Sequence, residues 1–254
     1  MSTPKAIAGW HWITHAAQLL KKRPFELLFS FMGLIFCLFG MVAIQYVGIV
    51  ILMVLAPVLG MGFMQVCRQV DENQAFQPGA LFIAFRTPAL KALCISGFLQ
   101  LLALMLSFAV TMAVDGGVLW DFVSNNRVID ERALRETSIV GSLLLARLFN
   151  LPAMMGFWFA APLIMWNGMG VGKAIFYSFF AVWRARAVFA TYLIAWAGIL
   201  LSLPAMLALL ATLLPGVLGV INLFLLPLVL VVFVVLYITF YTSYKEIFAL
   251  DTKV

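Results

Sequence analysis

Charge is what this sequence has least of. Only 10% of its 254 residues are Asp, Glu, Lys or Arg, against 65% that are apolar. A water-soluble domain needs about 25% charged residues to dress its surface, so that class is excluded at the outset. Histidine is almost missing, with His11 and His15 alone. Their i, i+4 spacing would let two imidazoles share a metal, but no third ligand lies near in sequence, and Glu26 is more than two turns past His15. No histidine falls in an apolar run either, which argues against a haem held between spanning helices. The three cysteines, Cys37, Cys67 and Cys94, have no CxxC spacing, so they read as small packing residues and not as a cluster, a zinc site or a redox pair.

Carboxylates are missing from the apolar runs, apart from Glu26 at the entrance to the first. Proton-coupled carriers need ionisable groups within the membrane, so this absence argues against a proton-coupled pump. A glycine-rich phosphate loop, G-x-S-x-G, HExxH and paired intramembrane carboxylates are absent as well, so no catalytic constellation and no cofactor is read from the sequence. The formal charge of +6 would suggest nucleic acid in a soluble chain. Here it is read as basic residues next to anionic lipid, with no nucleic-acid partner.

What the chain has is long apolar runs. A hydrocarbon core about 30 Å thick requires roughly 20 apolar residues per helix. Uninterrupted runs of that length, whose backbone must bond within its own segment, read as helices and not as barrel strands. The expected fold is therefore all-α: a polytopic membrane helix bundle and a single membrane domain over residues 1–254. It has six transmembrane spans at about 25–43, 47–66, 90–114, 151–166, 187–210 and 217–241. An interfacial helix over 5–22 is expected to precede them, with Trp10, Ile13 and Ala17 on one side. The run after Lys21-Lys22-Arg23 is too long for a cleavable signal and is expected to remain as the first anchor.

Two shorter helices, Ala80 to Phe85 and Ala174 to Trp183, are too short to cross and are expected to lie at the interface. Pro78 is well placed to start the first. Pro152 is expected to interrupt the chain before the fourth span, leaving Arg147 near the interface, where its stem can snorkel. The alternative for Arg147 is a cavity that binds an anion. Gln100 falls near the middle of the third span, where a side-chain amide is costly alone, so it is expected to face another helix. Gln100 and Arg147 are the two polar positions in the bundle to which a ligand role could attach.

An internal repeat is also expected. Ala56-Pro57 followed by Ala80-x-Phe82-x-x-Phe85 is echoed by Ala161-Pro162 followed by Ala174-x-Phe176-x-x-Phe179. The copies would be parallel, because the basic connection after each would be cytoplasmic. With six spans, twelve of the 16 Lys and Arg fall on the side of the termini and four (Arg127, Arg132, Arg135, Arg147) on the other. Both termini are therefore expected to be cytoplasmic, and the loop Asp115 to Thr137 periplasmic.

The segment Gly9-Trp10-His11-Trp12, the pair Arg23-Pro24, Ala161-Pro162-Leu163 and Ala174-x-x-x-Ser178-Phe179-x-Ala181 together resemble a family of uncharacterised multi-pass inner-membrane proteins of proteobacteria. The resemblance covers nearly the whole chain and departs at His15, where the family has glycine. It implies a bacterial inner-membrane location and carries over no catalytic residues. Three functional classes stay open: first a non-catalytic membrane scaffold or interaction protein, next a passive carrier or binder of lipids or small apolar solutes, and last an enzyme, which a water-accessible acid/base pair would reveal. Membrane lipids are the expected partners, together with further copies of the chain or another membrane protein.

Overall fold

The computed structural model describes residues 8–44, 47–116, 137–213 and 218–249. Among these the regular structure is entirely helical. The helices are α1 (Ala8–Lys22), α2 (Pro24–Val42), α3 (Val47–Asp71), a short 3-10 helix (Pro78–Arg86), α4 (Leu90–Asp115), α5 (Thr137–Phe157), α6 (Ala160–Met165), α7 (Val171–Arg184), α8 (Arg186–Leu213) and α9 (Leu218–Ala249). Five stretches are long and apolar enough to cross a membrane: Pro24–Val42, Val47–Asp71, Leu90–Val114, Val140–Met165 and Pro227–Phe248. A sixth is obtained when Val171–Arg184 and Arg186–Ser202, bent by 78°, are counted together. Of the loop expected to be periplasmic, residues 117–136 lie outside the described residues.

Contacts divide the chain into two compact units. The first comprises Met1–Gly40, Leu59–Thr87 and Ala181–Val254, and the second Met41–Val58 and Pro88–Phe180. In the first, α1 packs along α8 and α9. Ala8, Trp12, Ile13, Ala16, Leu19 and Leu20 are its buried side chains, while Trp10 is 49% exposed. The inward face is thus about one residue away from the expected Trp10/Ile13/Ala17 side. The cause is Gly9, which seats α1 against the backbone of Val188 and Tyr192 with no room for a Cβ. Trp12 then stands edge-on to Phe189 at 5.2 Å and tilted against Tyr192 at 5.5 Å. Phe31, Phe63 and Tyr237 form a second ring cluster in this unit, with centroids 5.4–5.9 Å apart, the edge-to-face geometry that opposite ring-edge and ring-face charges favour.

In the second unit, α4 packs along α5 and α6. Gly97 brings α4 onto the carbonyls of Met53 and Val54 in α3, an approach any side chain would block. The fourth span differs from expectation. Its helix begins at Thr137 and runs through Pro152, since a membrane helix tolerates a proline whose lost bond is a single one. The break comes later, at Trp158–Phe159. There the Phe159 N–H leaves the helical ladder and donates to Ser178 Oγ at 2.9 Å, while that hydroxyl donates to the Met155 carbonyl at 2.8 Å. Ser178 thus bonds groups on both sides of the break. Replacing it by alanine removes both bonds across the break and is expected to cost about 1–3 kcal/mol, read as a lower midpoint in detergent-mediated unfolding; an unchanged midpoint would show that the break is closed by other means.

The two similar segments align in sequence in a register different from the one Ala-Pro suggests, although the first short helix is 3-10 and the second α. Pro57 sits inside the unbroken α3, whereas Pro162 follows the break, in α6. The constant spacing instead matches Met61-Gly62-Phe63 to Met155-Gly156-Phe157, Asn73 to Asn167, Ala80 to Ala174, and Phe82 and Phe85 to Phe176 and Phe179. Gly62 lies against Leu81 and Gly156 against Ile175, again matched residues. Ala80, Ala84, Ala174 and Ser178 are all buried, while Phe82 and Phe176 are exposed. Ala84 stands where Ser178 stands in the second segment, and α3 needs no hydroxyl there because it is not broken.

Candidate functional site

The densest polar grouping lies in the first unit, where the end of α3, the α1–α2 junction and the last turns of α9 meet. At 32 residues, α9 is about 48 Å long, well beyond the hydrocarbon thickness, so part of it extends past the core. Asp71 closes α3. Its carboxylate accepts a hydrogen bond from the Tyr241 hydroxyl at 2.7 Å and pairs closely with the Lys245 ammonium. The Asp71 side chain is 12% exposed and that of Lys245 47%, so the carboxylate is the covered partner. Its own carbonyl accepts from Lys22 Nζ at 3.0 Å.

The turn that follows is held by the same neighbourhood. Asn73 takes a positive φ of 58° and ends α3, and the Gln74 N–H reaches back to the Gln69 carbonyl at 2.8 Å, the bond that closes a left-handed helix cap. Arg23 Nη1 donates to the Gln74 carbonyl at 2.9 Å and pairs with Glu26 at 3.2 Å. Arg68 pairs with Glu72 at 2.8 Å, and Gln74 donates to the other Glu72 oxygen at 2.7 Å. One turn deeper, Thr242 donates to the Trp12 carbonyl at 3.0 Å, and the Tyr192 and Thr239 hydroxyls lie 2.7 Å apart.

These groups are bonded to one another in ways that hold helix ends. Among the described residues no three His, Cys, Asp or Glu side chains come together as a metal site. His11 is exposed and His15 half-buried on α1.

Gln100 and Arg147 belong to the other unit and stand apart from this network. Gln100 is exposed on α4 instead of meeting another helix. Close packing on α4 is concentrated at Leu93, Ser96 and Gly97, a turn before it, and resumes at Ser107 and Thr111. Arg147 is exposed within α5, because that helix starts earlier than the expected interface and carries the arginine inside the Val140–Met165 stretch. Asp71, Tyr241 and Lys245 were missed in the sequence, since Asp71 sits in a polar connection 170 residues from Tyr241 and nothing local links the two.

The chain has an inner-membrane relative. It is similar to a probable inner membrane protein of Burkholderia thailandensis, with 26% identity over 208 residues, covering 80% of this chain and 77% of that protein. No protein-family model matches the chain. No solved structure matches it either. The likeness agrees with the expected resemblance to inner-membrane proteins of proteobacteria. The apolar helices make this chain a polytopic all-α membrane protein, and the relative it resembles is a probable inner membrane protein.

Proposed function

We propose that the protein is a non-catalytic scaffold or interaction protein of the bacterial inner membrane, with both termini in the cytoplasm. It works through contacts with lipid, with further copies of itself or with another membrane protein. The observation that carries this reading is how the covered polar groups are used: Asp71, held by Tyr241 and Lys245, ties one helix end to another. A carboxylate already engaged by two structural donors on one oxygen is less well placed to bind substrate or move protons.

A second reading, a passive carrier or binder of lipids or small apolar solutes, is favoured by the exposed Gln100. An amide in the middle of a spanning helix is costly in lipid unless a polar group meets it, and Gln100 and Arg147 are the side chains such a path would use. Vesicles carrying a fluorescent lipid in both leaflets separate the readings. When an external quencher is added to vesicles holding the full chain, about half of the signal should stay protected, as in protein-free vesicles. Loss of the protected half, restored by Gln100→Leu, would overturn the scaffold in favour of the carrier.

A further inference from the structure

Helix α7 carries its large rings outward. Ala174 and Ser178 are fully buried, while Phe176, Tyr177 and Phe180 are exposed by 60%, 47% and 44%. Burying the small side chains and exposing the rings is the reverse of what water imposes, so this face meets an apolar medium. The helix has 14 residues and is about 21 Å long, too short to cross by itself. It bends by 78° from α8, so it does not continue that crossing in a straight line. A short helix of this kind is placed at the membrane interface, its rings among the upper parts of the acyl chains.

The same exposed side carries Lys173, whose ammonium stands 5.7 Å from the centre of the Tyr177 ring. That contact holds the cation at the border of the aromatic face. Acidic residues are absent from the whole stretch Thr137 to Tyr244, which holds Arg147, Lys173, Arg184 and Arg186. Among the described residues no carboxylate meets Lys173, and the anions that a membrane interface offers are phospholipid phosphates. The matched position in the first segment is Gly79, so the cation belongs to the second segment alone.

We propose that the outward face of α7, formed by Lys173 with Phe176, Tyr177 and Phe180, binds anionic phospholipid, the rings against the acyl chains and the ammonium on the headgroup phosphate. The inference goes beyond the scaffold reading and stands whether or not that reading holds. The test uses the purified, delipidated full-length protein in detergent, titrated with phosphatidylglycerol or phosphatidylcholine and followed by native mass spectrometry. The wild type should prefer phosphatidylglycerol. Lys173→Gln should weaken phosphatidylglycerol about fivefold, the worth of one basic residue at an anionic surface, and leave phosphatidylcholine unchanged. Lys173→Arg should keep the preference, and Phe176→Ala with Phe180→Ala should weaken both lipids. Equal binding of the two lipids by the wild type, or an unchanged preference in Lys173→Gln, would overturn the proposal. Displacement of the lipid by inorganic phosphate alone would also overturn it, by making the site one for a soluble anion.

Discussion

Gly62→Ala is expected to be among the most damaging single-methyl substitutions in this protein, while Gly60→Ala, two residues away on the same helix, is expected to be harmless. A methyl built on Gly62 falls on the backbone carbonyl of Leu81, whereas one on Gly60 meets nothing within 4 Å. A carbonyl cannot rotate aside as a side chain can, so α3 and the 3-10 helix would have to separate. The cost should be at the upper end of overpacking effects, about 3 kcal/mol. Gly60→Ala removes only the entropic penalty of a helical glycine and should gain about 0.5–1 kcal/mol. Unfolding midpoints in mixed detergent micelles check both, and equal shifts for the two variants would show that α3 does not approach Leu81 so closely.

The matched glycine in the second unit separates a backbone clash from a side-chain clash. A methyl on Gly156 lies 3.0 Å from the Ile175 side chain and 3.8 Å from its carbonyl. The Ile175 methyl has to give by only a few tenths of an ångström, so Gly156→Ala should cost less than Gly62→Ala, and trimming Ile175 to alanine should relieve it. Trimming Leu81 should give no such rescue for Gly62→Ala, because the obstacle there is backbone. The difference is a coupling energy, which a double-mutant cycle measures directly.

Much of the fold was legible because membrane insertion is governed by run length and polarity, both local quantities. Pro24–Val42 and Leu90–Asp115 lie within a residue or so of the spans expected at 25–43 and 90–114, and Pro78 opens the short helix as expected. What was not legible depends on contacts between distant residues. The inward face of α1 is chosen by Gly9 against α8. The break after α5 is fixed by Ser178, whereas local propensity pointed to Pro152. In the repeat, alignment on the prolines misled because proline in a membrane helix is weakly constrained. The glycines, pinned by close approach, carry the register. Gln100, expected to face another helix, is exposed among the described residues for a related reason: the cost of an amide in lipid says that a partner is wanted, not which group supplies it.

Asp71→Ala should destabilise the first unit by about 2–3 kcal/mol, and the ranking of its neighbours reveals which bond matters. Asp71 is the covered partner, at 12% exposure, and accepts from both Tyr241 and Lys245. Removing it leaves a phenol and an ammonium without their acceptor, and hydrogen bonds to a charged group contribute about 1.5–3 kcal/mol. Tyr241→Phe removes the more covered donor but leaves the carboxylate paired with Lys245, so about 1–2 kcal/mol is expected. Lys245→Met should cost about 0.5 kcal/mol, since its side chain is 47% exposed, water screens the pair and ordering a lysine is entropically unfavourable. The predicted order in mixed-micelle unfolding is therefore Asp71→Ala, then Tyr241→Phe, then Lys245→Met, with only the last effect shrinking strongly in high salt. A Lys245→Met loss equal to or greater than that of Tyr241→Phe would mean that the ion pair, and not the phenol, holds α3 to α9. In that case salt should weaken the join between these two helix ends.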